Sequence, residues 1–439
     1  MSRARSDAAL KNTSRLSRTG PTLALVAALV LVVVATLTTG ARGAIETNGV
    51  TGWRAFVCIT CAPTWLADII SNIALFVPLG ASLAALGVRP SRAAVVGVVV
   101  SCAIELLQYS GHPVGRTPAI TDVLSNGAGA LIGALAFANA TSLLNPLPSR
   151  SARLAQLWTA FTVAVFAACA VALSPVARWD GAERVNDVSP SVSGLPFTPG
   201  YGWYAAYAEQ PVVNGVPIRH GGNGPVIVSM PFDNTVRASV QVRGRDGRDG
   251  VVPIVFVHRP IPSGTDSLQS RAMLLLGQRG DDVVVGSELM AQRWGLVSPL
   301  LVSQQAFAPS GSQWVRAEAT VTPHRWEVQW REVRDSSVAR VAFLALSPAL
   351  GWSLIQSVIG ADVRGAWVLN VVWLVVWFGP LGFWVARSGG RTLVWAGVVL
   401  VTLWAMALGA GIAPLSAMEW AACVGASLVG ARVGRRQTP

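Results

Sequence analysis

The sequence predicts an α-helical polytopic membrane protein of about eight transmembrane helices, into which an all-β sandwich domain is inserted. Of the 439 residues, 52% are hydrophobic and only 13% are charged, and the mean hydropathy is +0.49. A soluble domain carries roughly 25% charged residues. Long apolar runs occur towards both ends of the chain, whereas the middle holds short alternating runs broken by turn residues. These observations exclude an ordinary soluble protein.

Almost all of the positive charge of the chain comes from arginine. The net charge is +12, and Lys11 is the only lysine. A basic composition is typical of nucleic-acid-binding proteins, but many of these arginines flank apolar segments, where they orient a membrane protein. We therefore expect a lipid bilayer as partner and no nucleic acid.

Eight apolar segments have the length of a membrane span. They are predicted over residues 22–37, 65–86, 93–110, 120–138, 154–173, 366–386, 392–411 and 415–431. Arg89 and Arg92 follow the second segment, and Arg150 and Arg153 follow the fourth, on the side of the basic N-terminal tail. The positive-inside rule then places both termini in the cytoplasm. A signal peptide cleaved near Ala41 is the alternative for the first segment.

The predicted organisation along the chain has seven parts. They are a cytoplasmic basic tail (1–21), a four-helix membrane domain (22–138), a loop and fifth span (139–174), an extracytoplasmic β-sandwich (175–341), an interfacial helix (342–365), a three-helix membrane domain (366–431) and a cytoplasmic tail (432–439). The stretch from Phe343 to Ile359 mixes apolar and polar residues, which favours a helix lying in the interface over an additional span.

The middle of the chain has the period-2 pattern of strands. Alternation occurs over residues 238–243, 315–321 and 326–330, and apolar bursts occur over 251–257 and 272–276. Short strands separated by turn signals indicate a β-sandwich. Trp326 and Trp330 share one strand face and are predicted to be core rather than a sugar platform. Asp281 and Asp282 are predicted to be solvated turn residues rather than calcium ligands.

A short motif returns near the C-terminus and indicates a direct internal repeat. Residues 76–80 read FVPLG, and residues 378–382 read FGPLG. Asp122 stands eleven residues before Gly133, and Glu419 stands eleven before Gly430. Chance similarity among small apolar residues is the alternative.

Three of the predicted spans carry a pair of polar residues at helical spacing, so that each pair lies on one helix face. The pairs are Asp68 with Asn72, Glu105 with Gln108, and Asp122 with Asn126. Ionisable groups within a membrane are costly and usually face a partner or a functional site. The predicted topology brings all three pairs to the extracytoplasmic rim, next to a loop that holds His112 and Arg116.

Two explanations of these carboxylates remain open from the sequence. Asp68 and Asp122 lie at helix starts, where a carboxylate is favoured by the helix dipole and caps free N–H groups. Glu105 lies near a helix C-terminus, where the dipole opposes it, so we expect Arg116 as its partner. We predict one binding site formed by the three pairs and Arg116, with no metal and no cofactor.

Two of the five cysteines have redox or metal spacing. Cys58 and Cys61 form a C-x-x-C pair, but a zinc site needs about four ligands and no second pair appears. An extracytoplasmic disulfide is the other possibility. The remaining three cysteines fall in apolar helices and are predicted to pack as small residues.

The polar motif resembles that of the VanZ-like family of bacterial integral membrane proteins, over about residues 22–138. The matching positions are Asp68-x-x-x-Asn72-x-x-x-Phe76-x-Pro78-x-Gly80, Glu105-x-x-Gln108, Arg116, and Asp122-x-x-x-Asn126-x-x-Gly129-x-x-x-Gly133. The resemblance implies a multi-pass protein of the bacterial cytoplasmic membrane. It also implies a link to glycopeptide (teicoplanin) susceptibility, because the family is named for a member with that role, but it implies no particular reaction.

The middle domain resembles concanavalin A-like, laminin G-type sandwiches. The resemblance rests on residues 274–285 and on a strand from Trp314 to Val321. It implies a domain that contacts glycan or another envelope protein.

Three functions compete on these grounds. The first is a cell-envelope protein that engages a lipid-linked or wall component at its outward polar site. The second is a membrane-embedded enzyme acting on a phospholipid or polyprenyl phosphate, with the carboxylates, His112 and Arg116 holding a cation and a phosphate. The third is a transporter, which the repeat favours, but transporter sites lie at the midplane and these residues lie at the rim.

Overall fold

The computed structural model describes residues 2–37, 56–60, 64–110, 118–175, 184–186, 208–217, 226–228, 235–244, 251–259, 271–307, 313–334, 339–355 and 361–436. The chain divides into two compact units, Met1–Pro146 and Leu147–Pro439. The first unit is helical, and the second contains both helices and the β domain.

The helices of the first unit follow the predicted apolar segments. They are α1 (Ser2–Leu37), α2 (Trp65–Ala85), α3 (Pro90–Tyr109), α4 (Ile120–Ala138) and the short α5 (Ala140–Leu144). Helix α1 begins well before the predicted span and includes the basic tail. The core is formed where Phe76 and Leu79 of α2 pack with Val32 of α1 and Ala134 of α4.

Four long helices of the second unit surround a core rich in tryptophan. They are α6 (Pro148–Ala172), α8 (Val363–Arg387), α9 (Thr392–Ala410) and α10 (Ala417–Arg436), whereas the short α7 (Met290–Arg293) lies between two strands of the β domain. Trp158 of α6 stacks on Trp377 of α8 with ring centroids 5.4 Å apart, and its indole N–H donates to the Trp377 carbonyl at 2.7 Å.

Seven helices of the described part of the chain are long and apolar enough to cross a membrane. They are Thr19–Leu37 within α1, α2, α3, α4, α6, Trp367–Arg387 within α8, and α9. These helices confirm a multi-pass membrane protein. The predicted eighth span also forms a helix, α10, but Glu419 and its C-terminal arginines make it more polar. The crossing of the membrane by α10 remains a prediction.

Both units contain the same close helix pair, α2 with α4 and α8 with α10. A Cβ added to Gly80 would lie 2.6 Å from the Ala130 carbonyl carbon, and one added to Gly382 would lie 2.6 Å from that of Ser427. Real Cβ atoms do not come so close to a backbone, so only glycine permits this approach.

A second glycine in each pair repeats the same geometry. A Cβ added to Gly133 would lie 3.0 Å from the Ala81 backbone nitrogen, and one added to Gly430 would lie 3.0 Å from that of Phe383. Ala81 follows Gly80, and Phe383 follows Gly382. The predicted repeat is therefore a repeat of structure, and chance similarity does not account for it.

The β domain consists of two sheets. Its strands are β1 (Arg184–Asn186), β2 (Ala208–Val213), β3 (Val216–Pro217), β4 (Val226–Val228), β5 (Val236–Arg243), β6 (Val252–Arg259), β7 (Arg271–Arg279), β8 (Asp282–Gly286), β9 (Leu301–Ser303), β10 (Trp314–Val321), β11 (Arg325–Glu332), β12 (Arg340–Ala345) and β13 (Ala361–Asp362). One sheet has the order β13-β9-β8-β7-β6-β1-β4, and the other has the order β12-β11-β10-β5-β2-β3. Pairings between named strands are antiparallel except β13 with β9.

The tryptophans of β11 lie in the core of this domain, as predicted. Trp326 and Trp330 are only 1% and 5% exposed. The indole N–H of Trp330 donates a 2.9 Å hydrogen bond to the Ser303 hydroxyl, which joins one sheet to the other. At the β7–β8 turn, Asp281 is exposed, while a carboxylate oxygen of Asp282 accepts a 3.0 Å hydrogen bond from the Gln305 backbone.

The predicted interfacial helix over 342–365 is not a continuous helix. Phe343 to Ala345 end strand β12, and Pro348–Leu354 form a buried 3₁₀ helix. Residues 356–360 lie outside the described part. The apolar residues of the 3₁₀ helix are buried within the protein. Whether it lies near the membrane surface remains a prediction.

The described part of this stretch is too short to cross a membrane. Seven residues of 3₁₀ helix extend about 14 Å, less than half the roughly 30 Å of a bilayer core. At β13 the chain is again part of the β domain, because β13 pairs with β9 immediately before α8 begins. The described residues between β12 and α8 therefore contain no additional span.

The β domain is joined to one end of the helices of its own unit. The Ser174 carbonyl, just after α6, accepts a 2.9 Å hydrogen bond from the Met290 N–H, and the Leu346 carbonyl accepts one of 2.8 Å from Ala413, between α9 and α10. At the opposite helix ends, a guanidinium N–H of Arg387 lies 3.5 Å from the Gly434 carbonyl. The arginines after α8 and at the end of α10 thus lie away from the β domain.

Candidate functional site

The three predicted polar pairs lie at one end of the first helical unit. Successive close approaches of α4 glycines to α2 show that these two helices run in the same direction. Helix α3 runs in the opposite direction, because its last turns meet the start of α4. The starts of α2 and α4 and the end of α3 therefore share one end of the unit. Residues 111–117, including His112 and Arg116, lie outside the described residues.

Glu105 has a partner that the sequence did not indicate. Its side chain is only 5% exposed, and Oε2 accepts a 2.8 Å hydrogen bond from the backbone N–H of Ala119, immediately before α4. The carboxylate thus lies at the positive end of the α4 dipole, which favours it, although it stands near the C-terminus of its own helix. The expected pairing with Arg116 involves a residue outside the described part.

Asn126 links α4 to α3 one turn deeper in the unit. Its amide Nδ2 donates a 2.8 Å hydrogen bond to the Ser101 hydroxyl, and both side chains are buried. The Oδ1 atom of Asn126 is also buried but has no hydrogen-bond partner. An unsatisfied buried carbonyl oxygen is costly, so it requires an explanation such as a bound group.

Asp68 and Asp122 lie in the first turns of their helices. The Thr64 hydroxyl donates a 2.9 Å hydrogen bond to Oδ2 of Asp68, and the Asp68 N–H donates to the Thr64 carbonyl at 2.9 Å. Both contacts lie within the first turn of α2, and the capping role that the sequence left open for Asp68 remains a prediction. The carbonyl of Asp122 accepts a hydrogen bond of 3.2 Å from the Ser125 hydroxyl.

The structure brings together the pairs of α3 and α4. Glu105 with Ala119 and Ser101 with Asn126 form two successive links between these helices. Gln108 is also buried there, whereas Asn72 is half-buried on α2. The α2 pair lies at the same end of the unit, but a single site formed by all seven predicted residues remains a prediction.

Sequence reasoning missed Ser101. Ser101 precedes Glu105 by one helical turn on the same face of α3. That spacing was a usable signal, but a serine within an apolar helix is more often bonded to its own backbone.

A corresponding polar cluster occupies the second unit. Oε2 of Glu419 accepts a 2.8 Å hydrogen bond from the Ser416 N–H, and Oε1 accepts one of 2.9 Å from the Asn370 amide. The Ser347 hydroxyl lies 3.5 Å from Oε1, and the Trp352 indole N–H donates to Oδ1 of Asn370 at 2.7 Å. The spacing of Ser416 and Glu419 is that of a capping box.

The structure agrees in part with the disulfide predicted as one alternative for Cys58 and Cys61. Cys58 is disulfide-bonded, and Cys61 lies outside the described residues. Cys169 and Cys423 are free and buried, as packing residues should be, whereas free Cys102 is exposed. Within the described ranges, no three His, Cys, Asp or Glu side chains are grouped as ligands of a metal ion.

The fold defines a class of multi-pass helical membrane protein with a β domain in its second unit. Residues 22–143 match the sequence profile of the VanZ/LLP1 family. The first helical unit is thus similar to VanZ/LLP1 proteins over this range, and the match contains the three polar pairs and Arg116. It leaves out the β domain and the C-terminal helices. No curated protein and no solved structure shows significant similarity to the chain.

Proposed function

We propose that this protein is a VanZ-type component of the bacterial cell envelope that binds a lipid-linked or wall component at an extracytoplasmic polar site. The observation that carries the proposal is the buried polar cluster at the α3–α4 contact, formed by Glu105, Gln108, Ser101 and Asn126 at one end of membrane-length helices. Asp68, Asn72, Asp122 and Arg116 complete the proposed site.

Apolar packing does not require these side chains, although the hydrogen bonds of Glu105 and Asn126 also link α3 to α4. Burial of a carboxylate or an amide among apolar helices costs free energy, whereas leucine or alanine at the same positions would pack without that cost. Glu105 and Asn126 also place their polar atoms at the contact between two helices rather than towards lipid. Polar groups kept in this way are typical of a binding site.

The proposed orientation follows from the arginines. Arg89 and Arg92 lie at the α2–α3 connection, the opposite end of the unit from Glu105. The positive-inside rule puts this connection in the cytoplasm and the polar cluster at the outer surface. The bacterial setting and the link to teicoplanin susceptibility come from the resemblance to VanZ-like proteins.

The β domain is proposed to be an extracytoplasmic, concanavalin A-like sandwich that contacts glycan or another envelope protein. Its two sheets and the Trp330–Ser303 bond between them support the sandwich. The β domain is hydrogen-bonded to the end of α6 and to the connection between α9 and α10. The arginines of α8 and α10 lie at the opposite helix ends, which supports the outer location of the domain.

Binding to a purified lipid-linked wall precursor tests the proposal. The full chain in lipid nanodiscs is compared with Glu105→Gln, which keeps an acceptor for the Ala119 N–H but removes the charge. We expect at least a roughly tenfold loss of affinity, the order of one charge-assisted hydrogen bond. Glu419→Gln, the matched change in the second unit, should bind like the wild type.

Two results would overturn this function. One is a wild-type protein that shows no binding to the precursor. The other is equal binding by wild type and Glu105→Gln. Phosphate release from phospholipid or polyprenyl phosphate by the same preparation would instead favour the enzymatic alternative.

A further inference from the structure

Arginines are concentrated at the helix ends of the second unit that lie away from the β domain. Helix α6 begins at this end, because Trp158 contacts Trp384 near the end of α8, with ring centroids 5.6 Å apart. Seven arginines of the described residues lie there, namely Arg150, Arg153, Arg387, Arg391, Arg432, Arg435 and Arg436. Residues 139–174 and 363–439 contain one acidic residue, Glu419, which lies at the start of α10. The helices that carry this charge therefore do not balance it.

Arg387 connects the end of α8 to the end of α10. One of its guanidinium N–H groups lies 3.5 Å from the Gly434 carbonyl, and its Cζ lies 4 residues' reach back over Phe383, 5.8 Å from the ring centroid. Arg391 follows immediately before α9. We define the arginine surface as these two arginines together with three from α10, which are Arg432, Arg435 and Arg436.

Two arginines of this surface are placed where their charges repel. Arg432 and Arg436 are both exposed on α10, and their spacing of four residues puts them on one helix face. Like charges at this spacing destabilise a helix. The helix dipole favours cations at a C-terminus, but it does not remove the repulsion between neighbours. An anion that both side chains reach would remove it.

The turn between α8 and α9 has the same backbone as the turn between α2 and α3. Gly87 and Gly389 both have a positive φ, of 88° and 75°. In each turn the N–H after this glycine donates to the carbonyl five residues earlier, at 3.0 Å and 2.9 Å. Arg89 and Arg391 each stand two residues after the glycine. The repeat therefore extends through this turn, and the two arginines correspond.

The first unit lacks the other arginines of the surface. The glycine contacts match α2 with α8 and α4 with α10. The residues at the positions of Arg387, Arg432, Arg435 and Arg436 are Ala85, Leu135, Ala138 and Asn139. Since the first copy is built without these arginines, the fold of the helix pair does not require them.

We propose that the arginine surface binds the phosphate group of an anionic phospholipid. A guanidinium group presents N–H donors in a planar fork that matches phosphate oxygens. The negative charge of the lipid would also relieve the repulsion among the arginines. This partner is distinct from the ligand of the proposed function, and the inference holds for either orientation of the unit.

The depth of the surface favours a lipid as the source of the phosphate. Helices α8 and α9, which meet at this turn, both contain a span of membrane length. The ends of such spans lie at the level of the lipid headgroups. Basic groups at this depth attract anionic lipids, whereas a soluble phosphate has no reason to concentrate there.

Retention of lipid by the full chain tests the inference. Native mass spectrometry compares phosphatidylglycerol, which carries a net negative charge, with phosphatidylethanolamine of the same acyl chains, whose ammonium group neutralises its phosphate. We expect phosphatidylglycerol to be retained at least roughly tenfold better. Inorganic phosphate is then added, with chloride at the same ionic strength as the reference.

A pair of double variants connects the preference to the arginine surface. Arg432→Gln with Arg436→Gln should reduce the preference by at least roughly fivefold, the order of one arginine next to a membrane. Both side chains are exposed, so the helix core is unchanged. Arg89→Gln with Arg92→Gln removes the same charge from the first unit and should leave the preference near that of the wild type.

Three results would overturn the inference. The first is equal retention of the two lipids by the wild-type protein. The second is a loss of preference in the Arg89 and Arg92 variant as large as in the Arg432 and Arg436 variant. The third is a preference that inorganic phosphate abolishes and chloride does not, which would assign the surface to a soluble phosphate.

Discussion

Asn370 and Glu419 meet across the α8–α10 contact, where the asparagine amide donates a 2.9 Å hydrogen bond to the glutamate carboxylate. Deeper in the same helix pair, Gly382 and Gly430 make backbone contacts that correspond to those of Gly80 and Gly133 between α2 and α4. The second unit therefore shows one arrangement of the polar groups at the starts of such a helix pair.

Asn370→Asp should destabilise the second unit. The new carboxylate would still accept from the Trp352 indole N–H, but it would face Glu419 without the donor that the asparagine amide supplies. We expect a loss of about 1–3 kcal/mol in the free energy of unfolding, measured as a lower Tm of the purified protein in detergent. Glu419→Gln in the same chain should restore most of the loss, and a Tm equal to that of the wild type in the single variant would contradict this account.

Gly80→Ala should separate α2 from α4. The added methyl group would overlap the Ala130 backbone, whereas a Cβ at Gly397 of α9 would meet nothing within 4 Å. We expect Gly80→Ala to cost about 1–3 kcal/mol, as overpacking does, and Gly397→Ala to be neutral or stabilising by up to about 1 kcal/mol. Thermal unfolding of both variants checks the difference. Equal Tm values for the two variants would contradict the close backbone approach of α2 to α4 at Gly80.

Ser101→Ala should weaken the α3–α4 link. The change leaves the buried Nδ2 atom of Asn126 without its acceptor, at a cost of about 1–3 kcal/mol. Ser142→Ala on the exposed face of α5 is the control, since that hydroxyl bonds only to a local carbonyl among the described contacts. A Tm loss no larger for Ser101→Ala than for this control would argue against the observed contact.

Trp330→Phe should loosen the β domain by removing the hydrogen bond to Ser303 while keeping most of the packing. The expected loss in the free energy of unfolding is about 1 kcal/mol. The near-ultraviolet circular dichroism of the full chain, recorded on heating, measures it. Ser303→Ala should add little when Trp330 is already phenylalanine. Fully additive losses in the double variant would show that the two residues do not interact.

Arg391→Cys and Ser416→Cys test the membrane orientation. Arg391 precedes α9 and Ser416 lies in the connection after it, so the two positions are at opposite ends of α9. In intact cells, with the three free cysteines replaced by serine, an impermeant thiol reagent should label Ser416→Cys and should not reach Arg391→Cys. The opposite pattern would reverse the proposed orientation of the β domain.

The apolar helices were predictable because span length and composition are local properties of the sequence. The strands were predictable for the same reason, since the alternation around Val315 to Val321 and Trp326 to Trp330 matches the buried faces of β10 and β11. The repeat was also visible, because only glycine fits at positions such as Gly80 and Gly382.

Partners that come from distant parts of the chain could not be predicted from the sequence. The stretch after Phe343 is apolar, and composition alone does not reveal whether a membrane or the protein's own core covers it. Glu105 was assigned a cationic partner because its own helix opposes its charge, and its pairing with Arg116 remains a prediction. The sequence did not indicate that the fold also brings the start of α4 beside it, where the Ala119 N–H donates to its carboxylate.

Disulfide formation between Asp68→Cys and Asp122→Cys tests the central claim most directly, with Asn370→Cys and Glu419→Cys as the reference pair. Both pairs are made in the chain whose three free cysteines are replaced by serine, and both are treated with the same mild oxidant. The account predicts that the two pairs cross-link to a similar extent, because the repeated glycine contacts hold them at the same separation. A reference pair that cross-links while the Asp68 and Asp122 positions do not would contradict it.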